Sequence, residues 1–128
     1  MVAVAIIAIV AGIYTPKLLH WGEEDYGDVT VQEASNLIDD KAGLVILDVR
    51  TVAEYNDGHI EGAINIPVEE LATRLSELDK NDEILVYCRT GNRSTTAVEI
   101  MKDAGFTKIY HMYEGISVWT QQGYPVVQ

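Results

Sequence analysis

One cysteine, Cys88, stands among residues whose types and spacing suit a thiolate. It ends the apolar run Ile84 to Tyr87 and opens the segment Cys88-Arg89-Thr90-Gly91-Asn92-Arg93-Ser94. The run reads as a buried strand and Ser94 to Ala104 as a helix, so the cysteine lies where a strand gives way to a helix N-terminus. Such a position offers unpaired backbone N–H groups and a partial positive charge. Arg89 and Arg93 add two full charges. Gly91 and Asn92 tolerate left-handed backbone angles, so the loop can curl round the sulfur as an anion nest. Each feature lowers a thiol pKa from its ordinary value of about 8.5. The competing reading is an inert buried cysteine followed by a polar turn; two arginines and a glycine within five residues favour the reactive one. Ser94 reads as the N-cap of the helix and not as a catalytic hydroxyl.

Other polar residues read as structural. Asp48 and Arg50 end a strand, and hydrogen bonding within the fold is the expected role of Asp48. Arg50 and Glu54 are four apart, a spacing that suits an ion pair on a helix. His59 could be a general base, but a thiol with a low pKa needs none, so we read it as structural. His20 and His111 are scattered with it along the chain and make no metal site. Trp119 and Tyr124 are expected to pack the last helix.

The elements that must position Cys88 alternate along the chain. Thr30 is an N-cap candidate, with Val31, Ala34, Leu37 and Ile38 at helical spacing after it. Leu44 to Leu47 is an apolar run of the kind found in strands covered on both faces. Thr51 to Asp57 reads as a short helix stopped by Gly58, Ala63 to Ile66 as a short strand, and Val68 to Leu78 as a helix. After the Cys88 helix, Gly105 marks a C-cap, residues 109 to 113 alternate as a strand, and Glu114 to Gln122 form a last helix. Alternating strands and helices predict an α/β fold with a mostly parallel sheet, whose ligands sit where strand C-termini meet helix N-termini.

The whole chain has 128 residues, the size of one domain. Nine Lys and Arg against twenty Asp and Glu give a formal charge of −11, which excludes a nucleic-acid binder of the usual basic kind. A single cysteine excludes an intramolecular disulfide and a four-cysteine zinc site. Residues 1–14 carry no charged side chain, and residues 1–20 read as a signal-like or anchoring segment. On its own the fourteen-residue run, at about 1.5 Å per residue, is too short to cross a hydrocarbon core of roughly 30 Å. Association with a membrane, or export, is the expectation from it, with a cytoplasmic location as the alternative. Residues 21–28 are acidic and read as a linker, with the globular domain over 29–128.

From about Val29 to Val127 the chain resembles a single-domain rhodanese. The loop CRTGNRS is similar to that family's active-site loop. The segment LDVRTVAEYNDGHIEGAINIP, Leu47 to Pro67, is similar to its other signature. The closing YEGISVWTQQGYPV is similar to its C-terminal pattern but has one glycine, Gly115, where two are usual. The resemblance implies a three-layer fold with a central, mostly parallel five-stranded sheet flanked by helices. It also implies double-displacement sulfur transfer: Cys88 takes the sulfane sulfur of a donor such as thiosulfate, holds it as a persulfide, and yields it to cyanide or a thiol. Arg89 is expected to contact an anionic donor; Arg93 does the same or ties the loop to the domain. Arg89, Thr90, Gly91, Asn92, Arg93 and Ser94 form the active-site loop, with Asp48 and Arg50 in support. The expected partners are a small anionic sulfur donor and an external thiol or protein acceptor. No cofactor or metal is expected, and the chain is taken as a monomer. Some phosphatases and arsenate reductases share the fold but use C-x5-R, whereas here Ser94 holds the sixth position after Cys88 and the arginine comes at the fifth. A shorter loop fits one sulfur better than a tetrahedral oxyanion. The alternatives within the family are a binding module without chemistry and a persulfide relay to a partner protein.

Overall fold

The computed structural model describes residues 26–128. Five strands form one sheet: β1 (Gly27–Val29), β2 (Val45–Asp48), β3 (Ile64–Asn65), β4 (Ile84–Tyr87) and β5 (Ile109–Met112). Their order is β1-β5-β4-β2-β3, and every pairing is parallel. The helices are α1 (Val31–Asp40), α2 (Val52–Asp57), α3 (Val68–Arg74), α4 (Asn92–Asp103) and α5 (Gly115–Gln121); a 3-10 turn, Leu75–Glu77, extends α3. This is the α/β layer fold expected.

The central strands explain the layers. All four residues of β4 are buried. Side chains alternate across a strand, so Ile84, Val86 and Cys88 face one way and Leu85 and Tyr87 the other. On the first face they meet Leu71 of α3 and Ala97, Val98 and Met101 of α4. On the second they meet Ala34 of α1 and Ile116 and Trp119 of α5. Covering both faces is what makes such strands continuously apolar. Thr30 caps α1 and Thr51 caps α2, each in a reciprocal box with the glutamate three residues on; each cap contributes about 1 kcal/mol.

Three boundaries differ from the sequence reading. Gly27 and Asp28, read as linker, are strand β1, paired with Tyr110 and His111. The helix after Cys88 starts at Asn92 with Gly91 as its cap, so Ser94 is not the N-cap. Residues 75–77 tighten into the 3-10 turn instead of continuing α3. The segment 1–20 lies outside the described residues. Among those described, no helix is long and apolar enough to cross a membrane.

Candidate active site

Cys88 follows β4 directly, and the chain turns at once into α4. Ile116 N–H donates to Cys88 O at 2.9 Å and Ser117 N–H to Arg89 O at 3.1 Å, so the start of α5 clamps the loop. Two glycines permit the clamp. Gly115 has φ +78, and a Cβ there would stand 2.1 Å from Arg89 O; Gly91 has φ +105, and its Cβ would stand 2.4 Å from Tyr113 O. Neither position admits a side chain. Glu114 stands immediately before Gly115, and its carboxylate accepts from Val31 N–H at 2.8 Å. That bond ties the α5 turn to the start of α1.

Cys88 is 1 % exposed. Its sulfur accepts from Gly91 N–H at 3.1 Å and from Ser94 N–H at 3.3 Å. The Ser94 hydroxyl lies 3.3 Å from the same sulfur. Burial pushes the thiol up, but hydrogen bonds from the Ser94 hydroxyl and from the N–H groups of Ser94, Gly91 and Thr90 outweigh it and hold the thiol below its ordinary range. This is the anion nest expected of the loop.

The three nearby arginines differ in what holds them. Arg50 grips Asp48 through Nε and Nη2 at 2.7–3.1 Å and also donates to Gly58 O at 2.7 Å. Both side chains are buried. Arg50 therefore does not pair with Glu54 as its spacing suggested; residues 50 and 54 straddle the N-cap, and Asp48 is nearer. Glu54 instead takes a two-bond grip from Arg93, at 2.7 and 3.0 Å. That grip, against the opposing effect of burial, brings the Glu54 pKa down to about 2. Arg93 thus ties the loop to α2. Arg89 is exposed and, among the described residues, pairs with no carboxylate. It lines an open cavity of about 370 Å³ with Arg50, Glu54, Ser117, Thr120 and Val126. Thr90 and Asn92 are exposed on the loop.

The Asp48 carboxylate is gripped by Arg50, and Asn65 donates to Asp48 O and Arg50 O. His59 stacks on Tyr55 at 3.7 Å, and its backbone pairs with Val127. Trp119 packs on Tyr124 and donates to Pro125 O at 2.8 Å.

The structure brings one further residue to the sulfur's neighbourhood. His111 of β5 places Nε2 2.7 Å from Ser94 Oγ, and its Nδ1 is 3.3 Å from Asp28. The strand alternation already put His111 on the side of Ile109, the α4 face. What the sequence did not display was that β5 lies beside β4.

A parallel α/β sheet with a buried cysteine held by loop N–H groups at a strand's C-terminal end defines a class of cysteine-loop domains. The model of the Rhodanese-like domain matches residues 30–122, and the chain belongs to that family. A Bacillus subtilis relative is 38 % identical over 93 residues, covering 73 % of this chain and 50 % of its own, so this chain spans about half the length of that protein. A sulfurtransferase of Allochromatium vinosum is 29 % identical over 100 residues, covering 78 % and 94 %. The thiosulfate sulfurtransferase PspE of Escherichia coli is 42 % identical over 65 residues, covering 49 % and 62 %. Among solved structures, a rhodanese-related protein of Thermoplasma volcanium is 34 % identical with a TM-score of 0.70, covering 80 % of this chain and 98 % of that one. The Rhodanese-like domain of an Anabaena protein is 32 % identical with a TM-score of 0.72, covering 82 % and 80 %.

Proposed function

We propose that this domain is a sulfurtransferase that carries sulfur on Cys88. The observation that carries the reading is the nest: a buried sulfur held by two backbone N–H groups and a hydroxyl at a helix N-terminus. Relatives named as sulfurtransferases support it.

The chemistry runs in two displacements. The Cys88 thiolate attacks the outer sulfur of thiosulfate; a bond forms from Sγ to that sulfur, the thiosulfate S–S bond breaks, and sulfite leaves with the electron pair. An acceptor, cyanide or a thiolate, then attacks the outer sulfur of the persulfide, and Cys88 departs as thiolate. The N–H groups of Gly91 and Ser94 stabilise the anion at both ends of the cycle. Arg89 is the residue that meets the donor's charge, because Asp48 neutralises Arg50 and Glu54 neutralises Arg93.

Thiocyanate formation from thiosulfate and cyanide tests this. Turnover is expected in the wild type and none in Cys88→Ser; turnover persisting in that variant overturns the assignment. A second reading, a persulfide passed to a partner protein, is favoured by exposed Val126 beside Arg89 and exposed Tyr113 against Gly91. It predicts sulfur loading with slow release to cyanide.

A further inference from the structure

Behind the nucleophile lies a row of groups that sulfur transfer as described leaves unused. Cys88 Sγ is 3.3 Å from Ser94 Oγ, Ser94 Oγ is 2.7 Å from His111 Nε2, and His111 Nδ1 is 3.3 Å from Asp28 Oδ1. Cys88, Ser94 and His111 are all buried, whereas the Asp28 side chain is 71 % exposed. The row therefore runs from a buried thiol, across the layer between α4 and the sheet, to solvent beside β1.

A hydroxyl has one proton; Gly91 O also lies in reach of Ser94 Oγ, at 3.2 Å, but His111 Nε2 at 2.7 Å is the closer partner. With the thiol protonated, Cys88 S–H donates to Ser94 Oγ and Ser94 O–H donates to His111 Nε2, while His111 Nδ1–H points at Asp28. With the thiolate formed, Ser94 O–H must turn to the sulfur. Its oxygen then needs a donor, and only a protonated Nε2 supplies one from that side. Nδ1–H keeps its place on Asp28, so the ring is an imidazolium between a hydroxyl and a carboxylate. No heavy atom has to move between the two states.

We propose that Ser94 and His111 form a proton relay for Cys88, passing the thiol proton to His111 and, beside Asp28, to water. The step balances: the Cys88 proton goes to Ser94 Oγ, the former Ser94 proton goes to His111 Nε2, and one negative and one positive charge result. Nothing is oxidised or reduced. Ser94 touches the reacting sulfur; His111 acts through Ser94 and is a positioning residue and proton store. The relay rests on the reading of Cys88 as nucleophile but not on the identity of the sulfur donor.

The charged groups around the row set its balance. Burial, and then Lys102 of α4, disfavour the imidazolium, and Asp28 of β1 favours it; the net is a ring below its ordinary range, neutral until a thiolate across Ser94 favours its charged form. On the sulfur side, Arg93 faces Cys88 with the loop N–H groups.

The test uses the full chain and two readouts. In the first, NMR follows the His111 ring nitrogens against pH in the wild type, Cys88→Ala and Ser94→Ala. His111 is expected to titrate about one pH unit lower in Cys88→Ala, since it loses the anion that stabilises its charged form, a tenfold change in proton affinity. Ser94→Ala is expected to remove most of that coupling. In the second, iodoacetamide alkylation of Cys88 is followed against pH. His111→Asn keeps a partner for Ser94 but cannot take a proton, and it should move the alkylation midpoint up by about one pH unit. A histidine titration indifferent to the sulfur, or an alkylation midpoint unmoved in His111→Asn, overturns the relay. Loading with thiosulfate separates this from the proposed function: a failed relay leaves sulfur uptake intact, and an idle thiol leaves the titration coupling intact without uptake.

Discussion

Strands β2 and β4 are neighbours in the sheet; β2 ends in Asp48, with Arg50 two residues on, and β4 is followed at once by Cys88 and Arg89. At the β2 end the charges close on one another. Asp48 accepts from the Arg50 guanidinium and from its N–H, and Arg50 Nη2 also donates to Gly58 O. At the β4 end the charges stay open. Cys88 sits among N–H donors that no carboxylate occupies, and Arg89 points into the cavity without a counter-ion among the described residues. The same strand-end geometry makes a girder at one place and, on the function proposed, a reagent at the other. The difference lies in whether the polar groups satisfy each other or wait for a ligand.

Substitutions at the two ends should therefore separate stability from chemistry. Cys88→Ser should cost thiocyanate formation at least about a thousandfold, with little change in melting temperature, because the nucleophile itself is gone. Asp48→Ala should do the reverse. It strands the buried Arg50 charge, and losses of that kind run at about 3–5 kcal/mol; a denaturant titration measures it. If Asp48→Ala left stability unchanged, the girder reading would fail. Arg89→Ala should raise the thiosulfate KM about tenfold, leave discharge to a neutral thiol nearly untouched and leave the fold alone, since one exposed charge toward an anion is worth roughly 1 kcal/mol or a little more. Equal losses in both half-reactions would argue against a donor-binding role.

The smallest effect should come from Glu54→Gln. Glutamine can still serve the α2 capping box, so the change removes the ion pair with Arg93 alone, and about 1 kcal/mol of stability is expected to go with it. The pair also carries a pH signature. The Glu54 carboxyl is depressed to about 2 in the fold, so its contribution is present above the ordinary carboxylate range and is lost as pH falls toward 2. The stability difference between wild type and Glu54→Gln should narrow over that acid window.

Much of this was legible in the chain. The runs 44–47 and 84–87 are continuously apolar because both sheet faces are covered, and that is a local signal. The nest at Cys88 was legible because glycine, arginine and a helix start are adjacent in sequence. Strand β1 was not, since two of its three residues are Gly27 and Asp28 and it is held by pairing with β5. The partners of Arg50 and Arg93 were hidden for a related reason: spacing offered Glu54 to Arg50, but tertiary placement gave it to Arg93 across 39 residues. Ser94 read as a cap because serine favours that position. Its hydroxyl is instead drawn inward by a sulfur and an imidazole that only the sheet brings together.

The most direct test of the account is intact-mass measurement of the reduced protein after thiosulfate, with and without cyanide. The account predicts a gain of about 32 Da, one sulfur atom, that cyanide removes and that Cys88→Ser never shows. No gain in the wild type, or the same gain in Cys88→Ser, would contradict a sulfur-carrying thiolate at the β4 end.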